Sequence, residues 1–491
     1  MVNGINFSCQ GESHKATDKP CQDYSHCYAT SNGIAVAIVC DGHGGERYFR
    51  SQYGAKFAAE VTDNAVWSFV QNIDAGLFEG KQYTAVGPTL PDKGDTEKPT
   101  NKEFIAFRQL FSNILYRWNE KINEHAEANP LNDWEKTHVK EKYLNEFESQ
   151  MTLDREQRTI LEKTYGCTLM AYVQTPEYWF AFHLGDGKMI AYNIVNGKVQ
   201  WQEPVPWDDR CFLNKTTSLC DSDALNEFRY CYEGDGKFPA AVFLGSDGLD
   251  DSFGDITNLV NFYIQIVKML ANDGIEATQK SLEETLPQLS KIGSKDDMSV
   301  ATIFDLKLLQ QNVQLFIDWQ RDLVSDRIDD VQQRMKRLVD KRDSLKRSGK
   351  QDNNTIIELN YAIKDLERAK ADRDALVKKY DLLADELGDR HYVVTEDEKK
   401  VAEDPHNAQE ERQILSEKQE KSSEEEASLV TIAEPDEMET SELAGAQDNE
   451  MSEKKVEDGA SYPREIPVTD GSAEASKEKQ VEDQNPESSN E

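Results

Sequence analysis

Over roughly the first three hundred positions, short apolar runs separated by turn residues alternate with stretches whose apolar residues recur at helical spacing. That pattern predicts a mixed α and β domain up to about residue 307. Between residues 168 and 201 four strand-like runs, TLMAYVQ, YWFAFHL, KMIAYNIV and KVQW, are parted by Thr175-Pro176-Glu177, Asp186-Gly187 and Asn196-Gly197. Connections this short hold no crossover helix, so the run predicts an antiparallel meander and argues against a doubly wound nucleotide-binding sheet. Two further apolar runs, residues 34–40 and 240–245, lead into Asp41-Gly42 and Asp247-Gly248 and place carboxylates at strand ends. Glu46 to Val61 reads as a helix, and Asp255 is positioned to cap another whose apolar face is Ile256, Leu259, Val260, Tyr263, Val267 and Leu270.

The remaining periodicity is helical. Asp74 to Pro99 is rich in Gly and Pro and reads as a loop; Thr100 and Glu103 then form a capping box ahead of Phe104, Phe107, Phe111, Ile114, Trp118 and Ile122. A helical insert over about residues 64–163 is expected, either packed on the domain or selecting substrate. From Val324 a seven-residue repeat runs through Ile328, Val331, Met335, Leu338, Arg342 and Leu345, breaks at residues 348–353, and resumes through Ala362, Leu366, Ala369, Arg373, Leu376, Tyr380, Leu383 and Leu387. It predicts an antiparallel helical hairpin over residues 308–390, whose seam over 324–387 either closes on itself or associates with another chain.

Composition changes the picture in two places. Against 56 Lys and Arg stand 92 Asp and Glu, a net charge of -36, which disfavours nucleic acid and anionic membranes as partners. Residues 391–491 hold 30 acidic and 10 basic residues and few aromatics, so they are expected to form a disordered acidic tail, a solvated spacer or a regulatory tether. The first ten residues, MVNGINFSCQ, lack a basic stretch leading into a long apolar one, and the purest apolar run, Ile34 to Cys40, is too short to cross a bilayer. A soluble, cytoplasmic protein without membrane insertion is expected. Its eight cysteines show no CxxC and no metal-ligand spacing, and read as reduced thiols, mostly buried.

Four segments carry the candidate chemistry: V39-C-D-G-H-G-G45, L184-G-D-G187, L244-G-S-D-G-L249 and G293-S-K-D-D-M-S-V300. Each sets an Asp beside Gly or Ser in a turn. One Asp-Gly turn is an ordinary hairpin feature. Several carboxylates converging on one spot would repel one another unless a multivalent cation lay among them, and an all-oxygen set favours Mg2+ or Mn2+ over zinc. His43, two residues from Asp41 and between glycines, is placed for acid or base work.

These segments resemble, in order, those of the metal-dependent serine/threonine protein phosphatases of the PPM or type 2C family. The similarity rests on Asp41 to Gly45, Gly166-Cys167-Thr168, Gly185-Asp186-Gly187, Ser246 to Gly248 and Gly293 to Asp297; the opening Gly11 to His14 with Cys21-Gln22-Asp23 resembles the bacterial branch. The resemblance implies an α+β fold in which two antiparallel sheets form a sandwich flanked by helices. It implies that Asp41 bridges two metal ions with the Gly42 carbonyl on one, that Asp247 and Asp296 complete the other, and that Asp186 helps hold a third. Asp23 would orient a metal-bridging water that attacks phosphorus directly, and His43 would protonate the departing Ser or Thr oxygen. The expected substrate is a phosphorylated protein.

Three departures stand out. The family's N-terminal phosphate-gripping arginine has no counterpart, position 18 being Asp, and Arg47 or Lys15 is the expected substitute. Gln22 stands in place of a Glu, and Asp297 in place of an Asn. An active phosphatase is therefore set against an alternative: a pseudophosphatase scaffold that binds phosphoproteins without turnover and assembles through its coiled coil.

Overall fold

The computed structural model describes residues 2–84, 102–208, 210–211, 216–349 and 352–395. Most of the acidic tail and the Thr100 half of the expected capping box lie outside the described residues.

Two antiparallel sheets face each other. The first joins, in spatial order, β1 (Val2–Cys9), β11 (Met298–Asp305), β10 (Ala241–Gly245), β7 (Lys188–Val195) and β8 (Lys198–Gln202). The second joins β2 (Tyr24–Ala29), β3 (Ala35–Cys40), β5 (Leu169–Gln174), β6 (Trp179–Leu184), β9 (Arg229–Glu233) and β4 (Gln82–Thr84). Central strands are buried on both faces, which is why their sequences read as unbroken apolar runs rather than alternations. The alternation survives in size. Along β3 the small Ala35, Ala37 and Val39 point between the sheets, beside Met170, Ala181, Val242 and Ile303, while Val36, Ile38 and Cys40 face the outer helices.

The expected meander is corrected. β5 pairs with β6 and β7 with β8, but β6 and β7 lie in different sheets. Gly185-Asp186-Gly187 is thus a crossover between the layers instead of a hairpin turn. Its geometry needs glycine: Gly185 has φ 133°, and a side chain there would strike Thr168. Period and turn residues are the same for either connection, so the sequence alone did not separate them.

Helices cover both outer faces. On the second sheet lies α2 (Ser51–Asn72), preceded by a 3-10 turn at Glu46–Tyr48, so the helix expected from residue 46 starts later and runs eleven residues further. The insert begins after it. α3 (Lys102–Ala128) buries Phe107, Phe111, Ile114, Trp118 and Ile122 in the same core, and α4 (Asp133–His138) and α5 (Glu141–Met151) complete the insert, so it packs on the domain. A buried ion pair pins it: the Arg50 guanidinium donates to both Glu135 oxygens (2.6 and 2.9 Å) and to the Tyr165 hydroxyl.

Three helices cover the first sheet: α8 (Ile256–Asn272), capped by Asp255 as expected, α9 (Ile275–Ile292), and the first turns of α10 (Leu306–Ser348). α10 grows directly out of β11, with the Asp305 carboxylate accepting from the Leu308 amide. Its Leu309 and Phe316 belong to the sandwich core; beyond them it pairs with α11 (Asn353–Leu387). The heptad seam closes within the chain, with Ile317, Val324 and Ile328 against Leu383, and Met335 against Leu366 and Ala369. Ordered packing continues past His391, since Tyr392 lies edge-on to Tyr380 and accepts from Gln332. Among the described residues no helix is long and apolar enough to cross a membrane, and all eight cysteines carry free thiols.

Candidate active site

Register explains why distant carboxylates meet. Tyr24 pairs with Cys40, so the residues just outside that pair, Asp23 and Asp41, are neighbours at one end of the second sheet. In the first sheet Gly245 pairs with Val300 on one side and Lys188 on the other, bringing Asp247, Asp296 with Asp297, and Asp186 to the matching end. The crossover carrying Asp186 joins the two sheets at that same end. Ser246 begins a short turn of helix, α7 (Asp247–Asp251), that starts at the candidate ligand. Gly42 is held where a side chain would meet the Gln22 carbonyl at 2.4 Å, so the loop after β3 passes close beneath the segment before β2.

The carboxylates perturb one another. Asp23 and Asp41 are both held well above the usual carboxylate range, first by burial and then by their neighbours: Asp297 and Asp247 act on Asp23, Asp23 and Asp247 on Asp41. Asp186 is pushed up to about 6 by burial and by Asp247. Burial also raises Asp296. Asp23 is 7% exposed, and its Oδ2 is buried with no hydrogen-bond partner. Among the described residues no three His, Cys, Asp or Glu side chains are set, as they stand, to hold an ion. The donor set nevertheless fits a hard divalent cation: the oxygens come from five Asp, they repel one another, and a buried acceptor lacks a partner.

Asp297 does something different. Its buried carboxylate accepts from the amides of Gly11 (2.6 Å) and Gln22 (2.5 Å), and His14 Nδ1 lies 2.9 Å away. A side chain that accepts from a backbone amide at each of its two oxygens, which an Asn with one oxygen cannot do, explains the departure from Asn, and it locks the N-terminal segment onto the start of β11. Gln22 likewise holds structure, donating to Ser51 Oγ at 2.5 Å. His14 and Asp297 were not singled out for this role by sequence reasoning; the signal available was the pairing of an unusual His with an unusual Asp in the two segments that opened and closed the motif series.

His43 is well packed although glycines flank it in sequence. Its ring stands edge-on to Tyr48 at 4.8 Å, and Nε2 lies 2.7 Å from Ser218 Oγ. Burial lowers its pKa to about 4, against the opposing pull of Asp221 and Asp247. Lys15 and Arg47 are not gathered with the carboxylates: Lys15 faces Glu12 at 3.7 Å, and Arg47 pairs with Glu146 of α5 at 3.0 Å. Lys19 donates to the carbonyl of Gly44, next to His43, at 2.7 Å.

A model of the family described as Protein phosphatase 2C matches residues 10–287. Among solved structures, the chain is similar to the serine/threonine phosphatase Stp1 from Staphylococcus aureus, at 14% identity and a TM-score of 0.34, covering 62% of this chain and 95% of that one. It is similar to the S. agalactiae serine/threonine phosphatase at 12% identity and a TM-score of 0.35, covering 62% and 99%. It is also similar to a C. elegans sex determining protein at 13% identity and a TM-score of 0.36, covering 64% and 67%. No curated protein matches this sequence. With the family model spanning more than half of its length, the chain belongs to the protein phosphatase 2C family and is by that membership a phosphoprotein phosphatase.

Proposed function

We propose that this chain is a divalent-cation-dependent protein serine/threonine phosphatase whose site is the carboxylate cluster at one end of the sandwich. The family is generally metal-dependent. The observation that carries the assignment here is the convergence of Asp23, Asp41, Asp186, Asp247 and Asp296, with the Asp23 and Asp41 carboxyls held well above their usual range by burial and by one another's charge. Asp41, the Gly42 carbonyl, Asp247 and Asp296 would hold two Mg2+ or Mn2+ ions, and Asp186 a third. Such ions supply Lewis acidity, neutralising charge on the phosphate and lowering the pKa of water.

The chain's own residues do the rest. Asp23, with one carboxylate oxygen unpartnered, orients the attacking water by accepting its proton. His43 donates a proton to the departing Ser or Thr oxygen, a contribution of about 10²–10⁴ in rate. An approaching phosphate dianion brings the negative charge that favours the imidazolium over the neutral ring. Of the cations nearby, Lys19 is best placed to meet the phosphate, because its ammonium sits on the loop that carries His43. Lys15 and Arg47 are already paired with carboxylates.

The test is hydrolysis of a phosphothreonine peptide by the full chain with Mn2+, with chelator, and with Asp247→Asn. Turnover that needs the cation and disappears in the variant supports the reading. Binding of phosphopeptide without turnover under any cation would leave a pseudophosphatase scaffold instead.

A further inference from the structure

Resting on the general-acid role assigned to His43, we propose that Ser218 is the positioning residue that fixes the orientation of the His43 ring by engaging Nε2, so that proton transfer to the leaving group runs through Nδ1. Ser218 is 3% exposed and belongs to none of the motif segments. It lies in the stretch between β8 and the short helix α6 (Ala224–Glu227), remote in sequence from every candidate carboxylate.

Ser218 Oγ is surrounded by polar partners. The hydroxyl has one proton and two lone pairs. At 3.1 Å lies the Cys167 carbonyl, which can only accept. The Cys220 amide, 3.3 Å away, can only donate. Cys220 Sγ, 3.2 Å away, can do either. The shortest contact of the hydroxyl, at 2.7 Å, is to His43 Nε2, so that nitrogen is engaged whichever atom carries the proton. Among the described residues no hydrogen bond engages Nδ1. In the imidazolium form Nε2–H donates to Ser218, Ser218 donates to Cys167, and Nδ1–H is the transferable proton. In the step itself the Nδ1–H bond breaks, its electron pair stays on Nδ1, and the proton bonds to the oxygen leaving phosphorus. The product is the Nε2–H tautomer, still donating to Ser218, so no ring flip is needed.

Ser218 is itself held stiffly. Its amide donates to Asp221 Oδ2 at 2.9 Å, and the other Asp221 oxygen accepts from Lys163 at 3.0 Å. The ring is fixed on its other sides by Tyr48 and by the amide of His43, which donates to the Gly166 carbonyl at 3.1 Å. Tyr48, Ser218 and the backbone thus clamp one rotamer.

Leaving groups separate this role from a structural one. p-Nitrophenolate departs without protonation, whereas a threonine alkoxide requires it. With Mn2+ present, Ser218→Ala is expected to lower kcat on a phosphothreonine peptide by about tenfold or more, with a much smaller loss on p-nitrophenyl phosphate. His43→Ala is expected to show the same split, larger, and the double variant to be no slower than His43→Ala alone, as for groups acting as a unit. If His43→Ala slows both substrates equally, the general-acid role falls and this inference with it. If His43→Ala splits the substrates and Ser218→Ala does not, the positioning role alone is overturned. Equal losses on both substrates in Ser218→Ala, regained on both in Ser218→Thr, would show a hydroxyl needed only for folding and would also overturn it.

Discussion

The sandwich and the helical hairpin are built on opposite economies of contact. In the sandwich, strands such as β3 and β10 are wholly buried on both faces, and their rigidity is what lets five carboxylates be held together against their mutual repulsion. In the hairpin the buried residues form a single stripe, mostly apolar, with charged side chains elsewhere. The sandwich tolerates local cost because its core is continuous; the hairpin gains stability seam by seam. Stability and chemistry are therefore expected to respond separately in the two regions, and the following experiments test that separation, from the largest effect to the smallest.

Arg50→Ala should strike the sandwich hardest, because it strands Glu135 in a buried site; a loss of about 3–5 kcal/mol is expected for such pairs, read as a lower midpoint in urea unfolding. Asp247→Asn should cost more than about 100-fold in cation-dependent phosphopeptide turnover with the urea midpoint unchanged or raised, since it removes a repelling charge. A parallel fall in stability and activity would mean the carboxylate holds structure instead. In the hairpin, Ile328→Ala, at a fully buried seam position, should cost about 2–4 kcal/mol, with activity on p-nitrophenyl phosphate retained. Activity lost together with the seam would dissolve the distinction between the two regions.

Smaller effects sharpen it. Lys19→Ala should raise KM for a phosphopeptide by about tenfold, whereas Lys15→Ala and Arg47→Ala leave it unchanged. Cation-free protein should also melt lower as pH rises. A carboxyl whose folded-state pKa is raised contributes stability that is fully present below its unfolded value near 4 and is lost as pH climbs through the folded value, about 6 for Asp186. Melting near pH 5 should thus exceed melting near pH 7.5, and saturating Mn2+ should shrink the difference. A pH-independent melting point without cation would mean the cluster is not strained as described.

How much of this could be read from residues alone differs by region for physical reasons. The hairpin was legible almost to its boundaries, because a heptad seam is a local one-dimensional pattern. The strand-end carboxylates were legible because an apolar run ending in Asp-Gly, ordinary once, points to a shared charge when it recurs along the chain. Three things were not. Strand runs and turns look alike whether consecutive strands pair or cross between sheets, so the Gly185-Asp186-Gly187 crossover read as a hairpin. Of the cations expected to meet phosphate, Lys15 faces Glu12 and Arg47 pairs with Glu146, a partner about a hundred residues away. Ser218 and the Asp297 clamp depend on contacts spanning 175 and 286 positions, which no local pattern announces.

One feature of the backbone joins the two regions mechanically. β11 begins immediately after Asp296 and Asp297 and ends at Asp305, which caps α10; α10 then runs unbroken for 43 residues, about 65 Å. Strand and helix join without an intervening loop, and α10 carries the chain from the face of the sandwich out to the hairpin tip. Whatever grips that tip would hold the sandwich, and with it the candidate carboxylates, by a lever rooted in the same sheet, as a handle governs the blade fixed to it.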